Sequence, residues 1–403
     1  MSHIDDLIRD LCPDGVEYKP LGEVGRLLGG LTGKTKADFI DGTARYVSYK
    51  NVYSNLEVDV TADDFVRISD SETQNTLQIG DILFTGSSEN REEVGLTSVI
   101  TSLPPEPLYL NSFCICFRPT ENFTLLPEFA KHLFRSAAIR HQVIKTATGV
   151  TRINISRKNL AKIQVPLPPV EVQQEVARIL DQFTQLEAEL EAELEVRKQQ
   201  YSHYLNHFFS PNADTRMRTL KDVGPIRMCK RILKRQTSQK GDVPFYKIKT
   251  FGGTADAYIS RNLYEEYKER YSFPKPGSVL ISAAGTIGRA VPYDGRDAYF
   301  QDSNIVWIEN DETVALNRYL FYYYKIADWK TDGGTIKRLY NDRILNTAVP
   351  VPPLSEQHRI VDYLDKFDAL INDLTLGLPA EIEARRKQYE YYRDRLLTFP
   401  EKN

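Results

Sequence analysis

The segment VPLPPVEVQQEVARILDQFTQL at 165–186 recurs as VPVPPLSEQHRIVDYLDKFDAL at 349–370, with nine of 22 positions identical and an offset of 184 residues. A repeat at this distance restricts the fold more than composition does, because one supersecondary unit must be built twice. In each copy the paired prolines cannot continue a strand or sit inside a helix, so they mark a helix entry. Behind them apolar residues follow the 3-and-4 spacing of an amphipathic helix. They fall at Val176, Ile179, Leu180, Phe183, Leu186, Leu190 and Leu194, and then at Ile360, Tyr363, Leu364, Phe367, Leu370 and Leu374.

The two copies also end alike. EVRKQQYSHYLNHFF (195–209) aligns with EARRKQYEYYRDRLL (383–397), now at an offset of 188. The second copy therefore carries one extra four-residue unit, about one helical turn or roughly 6 Å, a local unwinding in coiled-coil terms. Gly377 and Pro379 predict a bend or restart near 377–379. Helices are expected at about 171–208 and 355–397. Each has one apolar stripe to bury, and the simplest partner for each is the other, as an antiparallel pair. The predicted coiled-coil seam is Leu180, Phe183, Leu186, Leu190 and Leu194 against Leu364, Phe367, Leu370 and Leu374.

Two larger segments precede the helices, and they resemble each other faintly but in order. PLGEVG (20–25) faces TLKDVG (219–224), and IGDILFTG (79–86) faces KPGSVLISAAG (275–285). LYLNSFCICF (108–117) faces AYFQDSNIVWI (298–308), and TGVTRINISRKNL (148–160) faces DGGTIKRLYNDRI (332–344). The runs GDILF, FCICF, GSVLIS and NIVWI read as strands. LPEFAKHLFRSAAIRHQVI (126–144) and ALNRYLFYYYKIADWK (315–330) read as helices. The expected fold class is mixed α/β (α+β): domain 1–162, helical region 163–210, domain 211–348, helical region 349–403.

Charge is uneven along the chain. Residues 1–162 hold 18 Lys and Arg against 21 Asp and Glu, whereas residues 211–348 hold 23 against 16. The basic second domain points weakly to a polyanion. No apolar run approaches the roughly 18 residues of a membrane span, and MSHIDDLIRDL has neither the basic start nor the apolar run of a signal peptide. Cys12, Cys114, Cys116 and Cys229 have no zinc spacing and read as packing residues of a reduced, cytoplasmic protein. There is no P-loop, no GxSxG and no HExxH, and the Asn/Asp-Pro-Pro-aromatic tetrad of adenine methyltransferases is missing. His203 and His207, four apart on a predicted helix, lack a third ligand and read as surface residues. The expectation is a protein without catalysis of its own. A self-sufficient nucleic-acid enzyme would need the absent motifs, and a pure coiled-coil scaffold would need only the rods.

Two related domains on paired helices suit duplex DNA, which two-fold-related readers contact at half-sites about a helical turn or more apart. The helix motifs, with PAEIEARRKQYEYYRDRLLTF, GDILF and TGVTRINIS, closely resemble the specificity subunit of Type I restriction–modification enzymes. The resemblance covers the whole chain and implies two target-recognition domains, each followed by a helical spacer. It implies a split, asymmetric double-stranded DNA site and two methyltransferase subunits performing adenine N6 methylation. Restriction (motor-nuclease) subunits would join for cleavage. No cofactor is expected on this chain; S-adenosylmethionine and ATP would be bound by the partners.

Polar and basic residues in loops shared by both domains are the DNA-binding candidates. The first loop pair is Thr151, Arg152, Asn154 and Arg157 with Thr335, Lys337 and Arg338. The second is Thr85, Ser87, Ser88, Asn90 and Arg91 with Ser282, Thr286 and Arg289, and the third is Ser48, Lys50 and Asn51 with Lys247, Lys249 and Thr250. Arg and Lys read guanine and Asn reads adenine in the major groove, although most such contacts are to phosphate and only position a protein.

Overall fold

The computed structural model describes residues 2–69, 71–211, 215–331 and 338–402, with side chains from Asp6 onward. The chain divides into two compact units, Met1–Leu190 with Ile382–Asn403, and Glu191–Glu381. Each unit thus combines one mixed α/β domain with pieces of both helical regions.

In the first unit a four-stranded antiparallel sheet has the order Gly25–Gly29, Cys114–Pro119, Ile82–Thr85, Thr97–Val99. Its central strand Ile82–Thr85 is buried at every position, which explains why it reads ILFT without polar alternation. A second sheet places Ala44–Val47 between Phe65–Val66, antiparallel, and Tyr109–Leu110, parallel. Phe84, Phe117, Phe129 and Phe134 fill the core beside the first sheet, Phe84 meeting Phe134 edge-on at 5.6 Å.

The second unit repeats these two sheets in the same strand order. Its four-stranded sheet runs Ile226–Met228, Ile305–Ile308, Val279–Ser282, Ala290–Pro292. Its three-stranded sheet sets Val243–Tyr246 between antiparallel Tyr258–Ile259 and parallel Tyr299–Phe300. The strand into each proline motif also pairs alike: Gln164–Pro166 with Tyr18–Pro20, and Ala348–Val351 with Arg216–Thr219. The faint sequence similarity between the domains is therefore a repeat of these three strand sets, while the first domain's further pair, Ile153–Asn154 with Ser87–Ser88, is matched among the described residues of the second only by the bridge Ala284–Arg338.

The predicted helical segments differ in detail. LPEFAKHLFRSAAIRHQVI forms two helices, Pro127–Leu133 and Ala137–Thr146, with Ser136 starting the second. The segment 315–330 is helical only at Asn317–Tyr324, and the Trp329 Nε1 donates to the Tyr324 carbonyl at 3.3 Å beyond its end. The first rod helix is continuous over Val170–Phe208, whereas the second is two helices, Leu354–Asn372 and Leu378–Leu396.

Packing along the rods is antiparallel inside each unit. In the first, Phe183 stacks on Tyr392 at 5.2 Å and Glu187 pairs with Arg386 at 2.8 Å. In the second, Tyr204 meets Phe367 at 5.5 Å and the Tyr201 hydroxyl donates to Asp368 at 3.2 Å. Phe183 and Phe367 are repeat equivalents, as are Tyr392 and Tyr204, so one contact is made twice with the partners exchanged. Leu180 and Leu364 are wholly buried, and Leu194 packs on the second unit's core.

Three predicted seam residues depart from the stripe. Leu186 and Leu370 are each 37% exposed, while their neighbours Glu187 and Ile371 face inward. Leu180, Phe183 and Leu186 step by three, and each step of three lags a 3.6-residue helix by about 60°. Two such steps turn Leu186 away from the seam. Leu374 lies between the two helices of the second rod and is 81% exposed, so it lines no seam.

Candidate nucleic-acid interface

In the first domain three segments far apart in sequence meet around one cavity of about 770 Å³. They are the short helix Tyr49–Ser54, the strand Ser87–Ser88 with the turn after it, and the turn before Ile153–Asn154. Ser48 caps the helix by accepting from the Asn51 amide at 3.4 Å. Tyr49 ties it to the second segment, its hydroxyl donating to the Ser87 carbonyl at 2.7 Å. The strand Ile153–Asn154 pairs antiparallel with Ser87–Ser88 and brings in the third segment. The tight turn before it requires Gly149, where φ is +108° and a Cβ would lie 2.1 Å from the Arg152 carbonyl oxygen.

A partly buried guanidinium holds this frame from behind. Arg135 donates to the carbonyls of Val52, Tyr53 and Asn55 at the helix's C-terminal end and to Thr97 at 2.7 Å. Burial pulls its pKa down to about 10, so it is charged at neutral pH, where it satisfies orphan carbonyls and complements the helix dipole.

Thr151 and Arg152 line the cavity together with Lys50, Ser87 and Ser88. The Arg152 guanidinium lies 5.2 Å over the Phe113 ring and donates to the Ser87 Oγ at 3.2 Å. Asn90 and Arg91 sit on the exposed turn beyond, Asn90 donating to Glu93 at 3.1 Å and Arg91 to the Ala147 carbonyl at 3.2 Å. Asn154 is exposed but donates to the Arg152 carbonyl at 3.0 Å, and Arg157 opens the short helix Arg157–Leu160.

Two predicted contacts in this domain are internal. Asn51 is 6% exposed and spends its amide on the Asp59 carbonyl at 2.8 Å, the Asp59 amide at 3.1 Å and Asn55 at 3.0 Å. It pins the following loop and has no surface to offer a ligand. Thr85 is fully buried in the central strand. Sequence reasoning missed Tyr49, Tyr53, Phe113, Glu89 and Glu93, which also line the cavity. The i,i+4 spacing of the two tyrosines, whose rings stack at 6.2 Å, was the available signal.

The second domain assembles the corresponding segments. Arg289 donates from its guanidinium to the Phe251 carbonyl at 2.7 Å, joining the 283–289 turn to the 247–251 loop. A bridge between Ala284 and Arg338 brings in the third segment. Arg338 donates to the Ser303 carbonyl at 3.3 Å, and its guanidinium lies 5.9 Å from the Tyr340 ring centre. Thr286, Arg289 and Lys249 are exposed. Lys247 pairs with Asp256 at 2.7 Å, and the Thr250 Oγ1 accepts from the Lys247 amide at 3.2 Å. Ser282 is a correction: it is 1% exposed, donates to the Thr286 carbonyl and accepts from the Arg289 amide at 2.9 Å. It braces the turn from inside. Thr335 and Lys337 lie outside the described residues.

The type I restriction modification DNA specificity domain matches the chain twice, over residues 13–196 and 212–384. The chain belongs to that family. A Haemophilus influenzae chain named as a type I restriction enzyme specificity subunit is 41% identical to this specificity-family protein over 394 residues, covering 95% of this chain and 96% of the relative. The Escherichia coli EcoR124I/EcoR124II specificity subunit is 31% identical over 269 residues, 61% of this chain and 65% of that one. Among solved structures, a chain from a study of assembly and conformational transition of a type I R-M system superposes with a TM-score of 0.62 at 19% identity, over 96% of this chain and 98% of that one. The S subunit from M. genitalium gives 0.51 at 13% identity, over 95% and 96%. These distant structures carry the same fold: two domain repeats, each with its helical region. Among the described residues of the specificity-family chain, no helix is long and apolar enough to cross a membrane.

Proposed function

We propose that this chain is the sequence-reading subunit of a Type I restriction–modification complex. Each domain would read one half of a bipartite, asymmetric DNA site and direct methyltransferase and restriction subunits to it. The observation that carries the reading is the convergence, in both repeats, of the same three loop segments. The first repeat gathers Lys50, Ser87, Thr151 and Arg152, and the second links the 247–251 loop, the 283–289 turn and Arg338. Phosphate contacts from such residues position a protein, and base-edge contacts specify the sequence.

Adenine methylation and cleavage, with S-adenosylmethionine and ATP, are assigned to the partner chains. The internal repeat favours two equivalent partners, since the same domain model matches the chain twice and each domain is followed by a helical region. The first domain's acidic balance favours phosphate attraction supplied largely by partner subunits, so the isolated chain is expected to bind DNA weakly.

The test is a methylome. The chain is expressed with its own methyltransferase in a host lacking adenine methylation, and modified bases are mapped by long-read sequencing. A two-part motif with a fixed gap is expected. An undivided motif, or none, would overturn the reading.

A further inference from the structure

The cavity of the first domain contains chemistry that phosphate binding does not account for. Glu89 stands on its exposed rim, and among the described residues no hydrogen bond or ion pair engages its carboxylate. Glu93 differs, because its carboxylate accepts from the Asn90 side-chain Nδ2 at 3.1 Å. An unpaired carboxylate on a face that approaches phosphates repels them and weakens binding to every sequence equally. It becomes favourable only where the ligand offers it a proton donor. On DNA such donors lie on base edges, and in the major groove a carboxylate is matched by the amino group of cytosine. Arg152, in the same cavity, offers the opposite pattern. It has donors only, held in place by the Phe113 face and the Ser87 hydroxyl, and its fork matches guanine O6 and N7.

We propose that Glu89 and Arg152 read one C·G pair of the first half-site, Glu89 accepting from cytosine N4 and Arg152 donating to the paired guanine. This rests on the DNA-reading function proposed above and adds to it the identity of one base pair and the residues that choose it. The second domain carries no carboxylate in the corresponding turn, Ala283–Gly288. The reading therefore belongs to the first half-site alone.

The experiment compares the methylomes of the wild-type chain and E89Q, each with its methyltransferase partner. Glutamine keeps an acceptor but adds a donor, so it tolerates bases that a carboxylate rejects. One C·G position of the first half-motif should relax, with methylation at sites carrying another pair there rising about tenfold. The second half-motif, unchanged, reports that the variant is folded and assembled. R152Q should relax the same position. A first half-motif without a C·G pair overturns the proposal. So does an E89Q methylome with every position intact, which would make Glu89 only a repelling charge. A wild-type chain giving no two-part motif overturns the underlying reading as well, which separates the two failures.

Discussion

Gln173 and Gln357, equivalent positions of the repeat, make the same three hydrogen bonds. The Gln173 side chain donates to the Thr124 carbonyl at 2.9 Å and the Pro168 carbonyl at 2.8 Å, and accepts from the Leu126 amide at 2.9 Å. Gln357 donates to Val314 at 3.0 Å and Pro352 at 2.8 Å, and accepts from Leu316 at 2.8 Å. Both are buried, and each staples the start of a rod helix to the loop that opens a domain helix. This explains why Gln is one of the few polar identities in the repeat: only a primary amide supplies two donors and an acceptor at one spot.

Replacing either glutamine should destabilise the unit that contains it. Alanine leaves the carbonyls and the amide without partners, at a cost of about 1 to 3 kcal/mol. Glutamate should cost more, because a carboxylate would face two carbonyls with nothing to donate. Hydrogen exchange resolved by unit checks this: Q173E should deprotect the first unit and leave the second alone, and Q357E the reverse. Equal loss in both would mean that the staples are not local.

Acid should weaken the first unit through His132. Its ring is fully buried between Asp181, whose carboxylate accepts from Nε2 at 2.7 Å, and Tyr389, 2.9 Å from Nδ1. A carboxylate only accepts, so Nε2 holds the proton, and the neutral ring's Nδ1 accepts from the tyrosine. Burial lowers the His132 pKa despite Asp181, with Lys131 adding to the depression and Glu57 opposing it. Below about 6.5 the unfolded chain binds a proton that the native ring refuses. Stability is then full above that value and falls as pH drops from it toward the lowered native pKa. Asp181 and Glu57, both lowered, add a separate loss below the ordinary carboxylate range. Denaturant titrations at several pH values should show the first slope vanish in H132N and the second persist.

The buried and exposed ends of the predicted seam should respond differently. Leu364 is fully buried, and L364A should cost about 2 to 5 kcal/mol by opening a cavity. Leu374, at 81% exposure, has little to lose, and L374A should stay within about 0.5 kcal/mol. A comparable loss for L374A in a thermal melt would place that side chain in a packed interface.

How much of this was legible in the sequence follows from which interactions repeat at fixed spacing. The rods were legible because prolines, amphipathic spacing and identical residues coincide there, and so was the break near Gly377. The fully buried strands Ile82–Thr85 and Val279–Ser282 were legible because continuous apolar runs have few other readings. Leu186 and Leu370 read as buried from leucine identity alone, while helical phase turns both outward. In the candidate interface, loop position was readable but side-chain direction was not. Asn51 and Ser282 have the polarity of DNA contacts, and the fold spends that polarity on its own backbone. Tyr49 and Phe113 lie 64 positions apart in sequence and share a cavity through tertiary packing alone.

Gly377 is held closely by the backbone around it. It directly precedes the helix Leu378–Leu396, its carbonyl accepting from the Glu381 amide at 3.2 Å, and at such an N-cap position glycine is already preferred to alanine. The turn before it is built by Asp373, whose Oδ1 accepts from the Thr375 amide at 2.7 Å and the Leu376 amide at 3.2 Å. That turn folds Gly377 back on the preceding helix, its amide donating to the Asp373 carbonyl at 3.1 Å. A Cβ there would lie 2.6 Å from the Ala369 carbonyl oxygen, 2.7 Å from that of Asp373 and 2.8 Å from that of Leu370. These are backbone atoms at the helix end and cannot swing aside as a side chain would. G377A should therefore destabilise the chain by about 1 to 3 kcal/mol, the range for overpacking. The loss should appear as faster amide exchange in the last turn of Leu354–Asn372. L376A is the control, since that side chain is 91% exposed and its removal should change nothing. Stabilisation by G377A would mean that the second rod closes into one continuous helix when the glycine is removed.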